Sequence, residues 1–131
     1  MTETYLDRRI IEAVRKGDFK ELDRLKEEGL DFTAVDAYGC SVPHYCAWRQ
    51  GVKGLEWCKA NGLDPHAKDK GGRMVFHFCA MHQGVEVLEW CKANGLDTHA
   101  VDEDGNGLLY YCKFSGNTKG IEWCEKEGIT K

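Results

Sequence analysis

The chain has only two prolines in 131 residues and no long apolar run. Its longest uninterrupted apolar stretches are a few residues, such as Leu108 to Cys112, whereas a membrane-spanning helix needs about 20. Membrane insertion is therefore not expected. The start, Met1-Thr2-Glu3-Thr4-Tyr5-Leu6-Asp7, lacks a basic stretch followed by an apolar one, so no secretory signal is expected. Positive charge is not in excess: 18 Lys and Arg against 22 Asp and Glu leave −4. A nonspecific nucleic-acid binder needs the opposite balance, so nucleic acid is not an expected partner. Two prolines also exclude collagen-like and proline-rich classes. The enzyme motifs G-x-G-x-x-G, the phosphate loop, H-E-x-x-H and G-x-S-x-G are absent; catalysis and a cofactor are not expected. What is present is 42% hydrophobic and 31% charged residues, the mix of an ordinary folded domain. The length fits one domain, or one compact array.

Seven cysteines suggest either a disulfide framework or metal sites. The odd count and the absent signal argue against secretion. No C-x-x-C pair exists, and the nearest two thiols are Cys40 and Cys46. The expectation is free thiols in a reducing cytoplasmic or nuclear compartment, with most of them buried as small hydrophobes.

Self-similarity organises everything else. Trp57, Trp90 and Trp123 are spaced by 33 residues, as are Cys58, Cys91 and Cys124, Cys46, Cys79 and Cys112, Asp36, Asp69 and Asp102, and Gly39, Gly72 and Gly105. Gly51–Asp64 and Gly84–Asp97 agree at 12 of 14 positions. Gly29-Leu30-Asp31 leads Gly62-Leu63-Asp64 by the same step. One domain over 1–131 follows, made of four units near 3–35, 36–68, 69–101 and 102–131. In the second unit Ser41 caps a helix over roughly 42–50. A second helix covers about 52–61, with Val52, Leu55 and Cys58 on one face. Asn61-Gly62 stops it, and 63–72 reads as extended chain and a turn. Helices of about ten residues are marginal alone in water, so the units must stack to bury a continuous core.

A 33-residue unit of this form resembles the ankyrin repeat. The residues that carry the likeness are Asp36-Ala37-Tyr38-Gly39, Ser41-Val42-Pro43-His44, Cys46-Ala47 and Gly62-Leu63-Asp64 with Ala67. The family's T-P-L-H becomes Ser-Val-Pro-His, then Met74-Val75-Phe76-His77, then Gly107-Leu108-Leu109-Tyr110, where the His is lost. Leu-Glu-Trp-Cys-Lys-Ala-Asn-Gly looks like Trp-bearing variants of the repeat. The resemblance implies an all-α solenoid of about four helix-turn-helix units with β-hairpin-like loops. It further implies a protein-binding module or assembly subunit that works by surface complementarity. His44 and His77 are expected to hydrogen-bond the neighbouring hairpin, and the Trp residues to fill a groove between second helices.

Family partners meet the hairpin tips and the exposed side of the first helices. The matching positions here are Val35, Ala37, Tyr38, Cys40, Trp48 and Arg49, then Lys68, Lys70, Arg73, Met81 and His82, then Glu103, Asp104, Asn106, Phe114 and Ser115. Trp48, Met81 and Phe114 form a column at 33-residue spacing. Trp and Arg are enriched at interface hot spots. Arg49, Lys68, Lys70 and Arg73 make a basic patch on an acidic chain, which points to an acidic protein partner. At the chain ends, Arg24 holds the Trp slot as a polar N-terminal cap should. The last unit keeps Leu108, Leu109, Tyr110, Phe114, Ile121 and Trp123, which marks the C-terminal edge as a candidate association surface.

Two motifs compete with these readings. Asp102-Glu103-Asp104-Gly105-Asn106-Gly107 imitates the start of a calcium loop, but Lys113 stands where the twelfth-position Glu should be; a turn is the expectation, and no metal. Cys46 with Cys58, Cys79 with Cys91 and Cys112 with Cys124 should face each other across helices whose axes pack about 8–10 Å apart. The alternative function is therefore a thiol-based redox sensor using these pairs. Cys40, outside both columns, is expected to be the most reactive thiol.

Overall fold

Short helices form in this chain wherever their first N–H groups find an acceptor, and each is too short to persist unless it is packed. The computed structural model describes residues 5–82 and 84–131; the start of the first unit near residue 3 lies outside them. Among the described residues there are eight helices: α1 Arg8–Lys16, α2 Phe19–Glu27, α3 Val42–Arg49, α4 Val52–Ala60, α5 Val75–Cys79, α6 Glu86–Ala93, α7 Leu108–Ser115 and α8 Thr118–Lys126. The helices expected over 42–50 and 52–61 are thus met within one residue at each end. The all-α class stands.

Side chains cap α1, α2 and α8. Asp7 accepts from the Arg9 N–H, Asp18 from Glu21 and Asn117 from Gly120. For α3 and α5 a histidine one turn in does the work, whereas α4, α6 and α7 start without a side-chain cap and depend on packing. The Ser41 N–H donates to His44 Nδ1 at 3.1 Å, and the Met74 N–H donates to His77 Nδ1 at 3.0 Å. The other ring nitrogen of each reaches a later carbonyl, His44 Nε2 to Arg73 O at 3.0 Å and His77 Nε2 to Ala100 O at 2.9 Å. A carbonyl only accepts, so Nε2 carries the proton and both rings are neutral. Each histidine therefore ties a helix start to the connecting segment that follows its own helix pair, Arg73 between α4 and α5 and Ala100 between α6 and α7.

The helices pack in pairs, α1 on α2, α3 on α4, α5 on α6 and α7 on α8. The first helices also contact in series, α1 with α3, α3 with α5 and α5 with α7. Leu22, Leu25, Val42, Leu55, Val75, Phe76, Leu88 and Leu108 are fully buried between them. Close approach within a pair has a local cause. A Cβ on Gly54 would stand 2.8 Å from Cys46 Cβ, and one on Gly120 would stand 2.7 Å from Cys112 Sγ. The third pair uses Val87 at this register. Its first helix α5 is short because its last turn tightens into i→i−3 bonds, with Ala80, Met81 and His82 N–H groups on His77, Phe78 and Cys79 carbonyls.

The connecting segments repeat one turn. Asp36, Asp69 and Asp102 each accept two backbone N–H groups on Oδ1, and each donates its own N–H to the residue four further on. Among the described residues the β-structure is a single antiparallel bridge, Lys68 with Met74.

Burial holds the His44 and His77 pKa values below the ordinary 6.5. In the unfolded chain both rings gain protons as pH falls through 6.5, while the folded rings resist. The unfolded state then binds more protons, so stability falls as pH drops below about 6.5, by up to about 1.4 kcal/mol per pH unit for each ring. Denaturant midpoints at pH 7.5 and pH 5.5 measure this, and the His77→Gln variant should lose about half of the pH dependence.

Candidate partner-binding surface

The tips of the Asp-centred turns are built rigidly. The Lys70 N–H donates to Tyr38 O at 2.9 Å, and the Glu103 N–H donates to Gly71 O at 3.0 Å, so each tip is tied to the next. Gly39 has φ +80° and a Cβ there would stand 2.8 Å from Lys70 N, so only glycine permits this approach. Tyr38 consequently projects from a fixed turn and is 72% exposed. Lys68 and Lys70 are exposed and, among the described residues, neither forms an ion pair.

Arg73 has a different place. Its Nε donates to Asp69 Oδ2 at 2.6 Å, and the Asp69 side chain is fully buried. Its guanidinium carbon lies 4.9 Å from the Phe78 ring centroid. The reason lies in the sequence of this unit. Tyr45 donates its hydroxyl to Asp36, and Tyr111 donates to Asp102. The third unit has Phe78 at that position, with no hydroxyl, and Arg73 supplies the missing donor. The Arg73 charge is thus spent on Asp69, and the basic group on the tips reduces to Lys68 and Lys70 with Arg49.

Along the first helices the aromatic column is uneven. Trp48 is 38% exposed, beside Tyr45 at 6.3 Å between ring centroids, with the Arg49 guanidinium carbon 5.3 Å above the Trp48 ring. Met81 is half-buried against the core. Phe114 is 78% exposed and stacks on Tyr110 at 6.2 Å. Arg73, Met81, Asp102, Asp104, Asn106, Tyr110, Tyr111 and Phe114 line one groove. His82 does not join it: its ring packs over Gly51, where a Cβ would stand 2.6 Å away, at the turn between α5 and α6. Tyr110 was expected at the C-terminal edge and not among the partner-binding residues of the turn tips and first helices. The signal was there, since Tyr110 holds the register of His44 and His77, and a bulky aromatic that replaces a buried histidine must go elsewhere.

The thiols are placed by the same packing. All seven are buried. Cys79 and Cys91 lie 3.3 Å apart at Sγ, and Cys46 with Cys58 and Cys112 with Cys124 are the equivalent neighbours in their units. Burial, then the Cys91 partner, pushes the Cys79 thiol well up; the Cys46 partner and burial raise Cys58. Cys124 moves down, because the Cys112 S–H stabilises its thiolate. The expectation that Cys40 is the most reactive thiol is corrected. Cys40 is 5% exposed, and burial, then the Asp36 and Asp69 charges, push its thiol up to about 12. Trp123, expected among the apolar residues of the last unit's edge, is 6% exposed and donates its indole N–H to Glu89.

Residues 51–90 match the model of the family described as ankyrin repeats (many copies), so this stretch of the chain is similar to ankyrin repeats. Such repeats are in general protein–protein interaction modules and characteristically not catalytic. No curated protein matches the chain. Among the described residues no helix is long and apolar enough to cross a membrane.

Two outcomes follow. Arg73→Ala should destabilise by about 2 kcal/mol, the cost of stripping a donor from a buried carboxylate, whereas Lys70→Ala should change stability by less than about 0.5 kcal/mol; equal effects in urea melts would mean that Arg73 is an ordinary surface charge. Brief alkylation at neutral pH, read by mass spectrometry, should label all seven thiols slowly in folded protein, Cys40 included, because all seven are buried away from the reagent.

Proposed function

We propose that the chain is a four-unit ankyrin solenoid, with units near 3–35, 36–68, 69–101 and 102–131, that binds a protein partner along its turn tips and first helices. The observation that carries this is the exposure of Trp48 and Phe114 in one 33-residue register, on a chain that buries most of its other large side chains. Exposed aromatics of this kind are interface anchors. Tyr38, Trp48, Arg49, Lys68 and Lys70 form the basic, aromatic half of the surface. An acidic segment of the partner lies there, with the Arg49 guanidinium over Trp48 offering donors above an apolar plate. Arg73, Met81 and Phe114 belong to the second half, with Tyr110, Asp104 and Asn106 at its rim. His82 lies aside and contributes through packing on Gly51. Lys68 and Lys70 steer the partner more than they hold it, because exposed charges act chiefly on the association rate. A reducing cytoplasmic or nuclear compartment suits seven buried free thiols.

A second reading, oxidation of the paired thiols, has the 3.3 Å Cys79–Cys91 contact in its favour and burial against it. Treatment of folded protein with a low-molecular-weight disulfide separates the two: intact thiols after hours leave binding as the function, and selective loss of Cys79 and Cys91 favours the sensor.

The binding test is the double variant Trp48→Ala with Arg49→Ala. Both side chains are exposed, so the melting temperature should change little, while capture of the partner from native extract should fall at least about thirtyfold, the loss of one hot spot of about 2 kcal/mol. Undiminished capture by a folded double variant excludes this face.

A further inference from the structure

The dipeptide Asn-Gly occurs three times with nearly the same flanks: Ala60-Asn61-Gly62-Leu63, Ala93-Asn94-Gly95-Leu96 and Gly105-Asn106-Gly107-Leu108. Such a pair can react with itself. The backbone nitrogen of the glycine attacks the side-chain Cγ of the asparagine, and no Cβ hinders the approach. The fold treats the three pairs differently. Asn61 and Asn94 follow the last residues of α4 and α6, and each turns its amide back over the helix end. Nδ2 donates to Trp57 O and to Trp90 O, both at 2.8 Å. Lys26 and Lys59 donate to the Oδ1 atoms. The attacking nitrogens are held as well, Gly62 N–H on Lys59 O and Gly95 N–H on Lys92 O, both at 3.2 Å. Asn106 sits instead in the Asp102 turn. Its own N–H donates to Asp102 Oδ1 at 3.0 Å, and its carbonyl accepts from the Asp102 N–H at 2.9 Å. Among the described residues, neither the Asn106 side chain nor the Gly107 N–H has a hydrogen bond. Cys40 and Arg73, which hold the same register, both place their side chains on Asp69.

We infer that Asn106 is a site of spontaneous covalent modification, a deamidation that the fold permits there and suppresses at Asn61 and Asn94. The Gly107 nitrogen gives up its proton and bonds to Cγ of Asn106. The Cγ–Nδ2 bond breaks, and Nδ2 leaves as ammonia with that proton. Asn106 is half-buried, so water reaches the cyclic imide that results. One water opens the ring. Attack at Cγ restores the ordinary backbone and leaves an aspartate at position 106. Attack at the backbone carbonyl carbon leaves an isoaspartate, with one more methylene in the main chain. Either product puts a carboxylate in place of an amide in the groove that Asp102, Asp104 and Phe114 line. The isoaspartate also separates the N–H and the C=O with which residue 106 holds Asp102, so the paired bonds of the turn are lost. The inference rests on the geometry of the turn and not on the partner-binding reading.

Incubation of the full chain at neutral pH, followed by peptide mass spectrometry, tests it through the mass gained when an amide becomes an acid. In folded protein Asn106 should convert at least about tenfold faster than Asn61 and Asn94, since those two must first break the hydrogen bonds on both reacting groups. In concentrated urea the three rates should converge, because the folded bonds are gone and the flanks are nearly alike. The rate at Asn106 should rise with pH, because the attacking nitrogen must be deprotonated. Asn106→Gln should keep the melting temperature and lose the fast release of ammonia, since the longer side chain closes its ring more slowly. Chains enriched in the isoaspartate product should melt at a lower temperature than untreated protein. Absence of conversion at Asn106 in folded protein, conversion of Asn61 or Asn94 at an equal rate, or a preference for Asn106 that persists undiminished in urea overturns the inference. Trp48→Ala with Arg49→Ala should convert at the parent rate, so a failure of the partner-binding face and a failure of this chemistry are read separately.

Discussion

Helices of five to nine residues cannot hold themselves together in water, and burial of one helix pair against the next is the constraint from which the rest of this structure follows. A single pair leaves one apolar face open; the neighbour covers it and opens another. The 33-residue step exists because the covering surface must recur at the same height in every unit. Where the contact is polar it is equally repetitive. His44 and His77 close a helix start with one nitrogen and hold a carbonyl of the following segment with the other. Such a ring has no spare donor or acceptor, and its burial costs little only while both bonds exist.

The surface inherits its rigidity from that interior. Tyr38 projects because Gly39 lets the next turn approach its backbone, and Trp48 projects because the opposite side of α3 is filled by Val42, Cys46 and Ala47. Positions that repeat in chemistry are buried and shared between neighbours. Positions that repeat in size but not in chemistry, such as Trp48, Met81 and Phe114, are the ones left free to differ. The Asp69 turn shows how strictly the shared part is kept. When the unit's tyrosine hydroxyl is lost at Phe78, an arginine from the turn takes over its bond, and a surface charge disappears into structure.

The thiols illustrate the same economy. Cysteine occupies slots where a small apolar side chain is needed between two close helices, most tightly opposite Gly54 and Gly120. Contact between sulfurs is then a by-product of packing small residues face to face, and the burial that creates the contact helps to suppress the thiolate at Cys58, Cys79 and Cys112.

The sequence by itself determined the repeat, the helix pairs and their stops, and the identity of the two buried cysteine columns, because each of these is encoded in spacing and local propensity: a helix start at Ser41, a stop at Asn61-Gly62, a face through Leu55 and Cys58. It also placed Trp48 and Phe114 outward, since their register differs from that of the core. What spacing does not carry is which partner a polar side chain finds across a junction. Arg73 reads as a surface cation until Asp69 and Phe78 are seen beside it, and His82 reads as a tip residue until Gly51 is seen beneath it. Cys40 reads as exposed until two carboxylates and the next turn enclose it, and Trp123 reads as an open edge until Glu89 takes its N–H. The Arg73 contacts lie within one unit, and the others bring in residues from a neighbouring unit. Only the tertiary structure decides them, because they depend on how far one unit is translated and rotated onto the next.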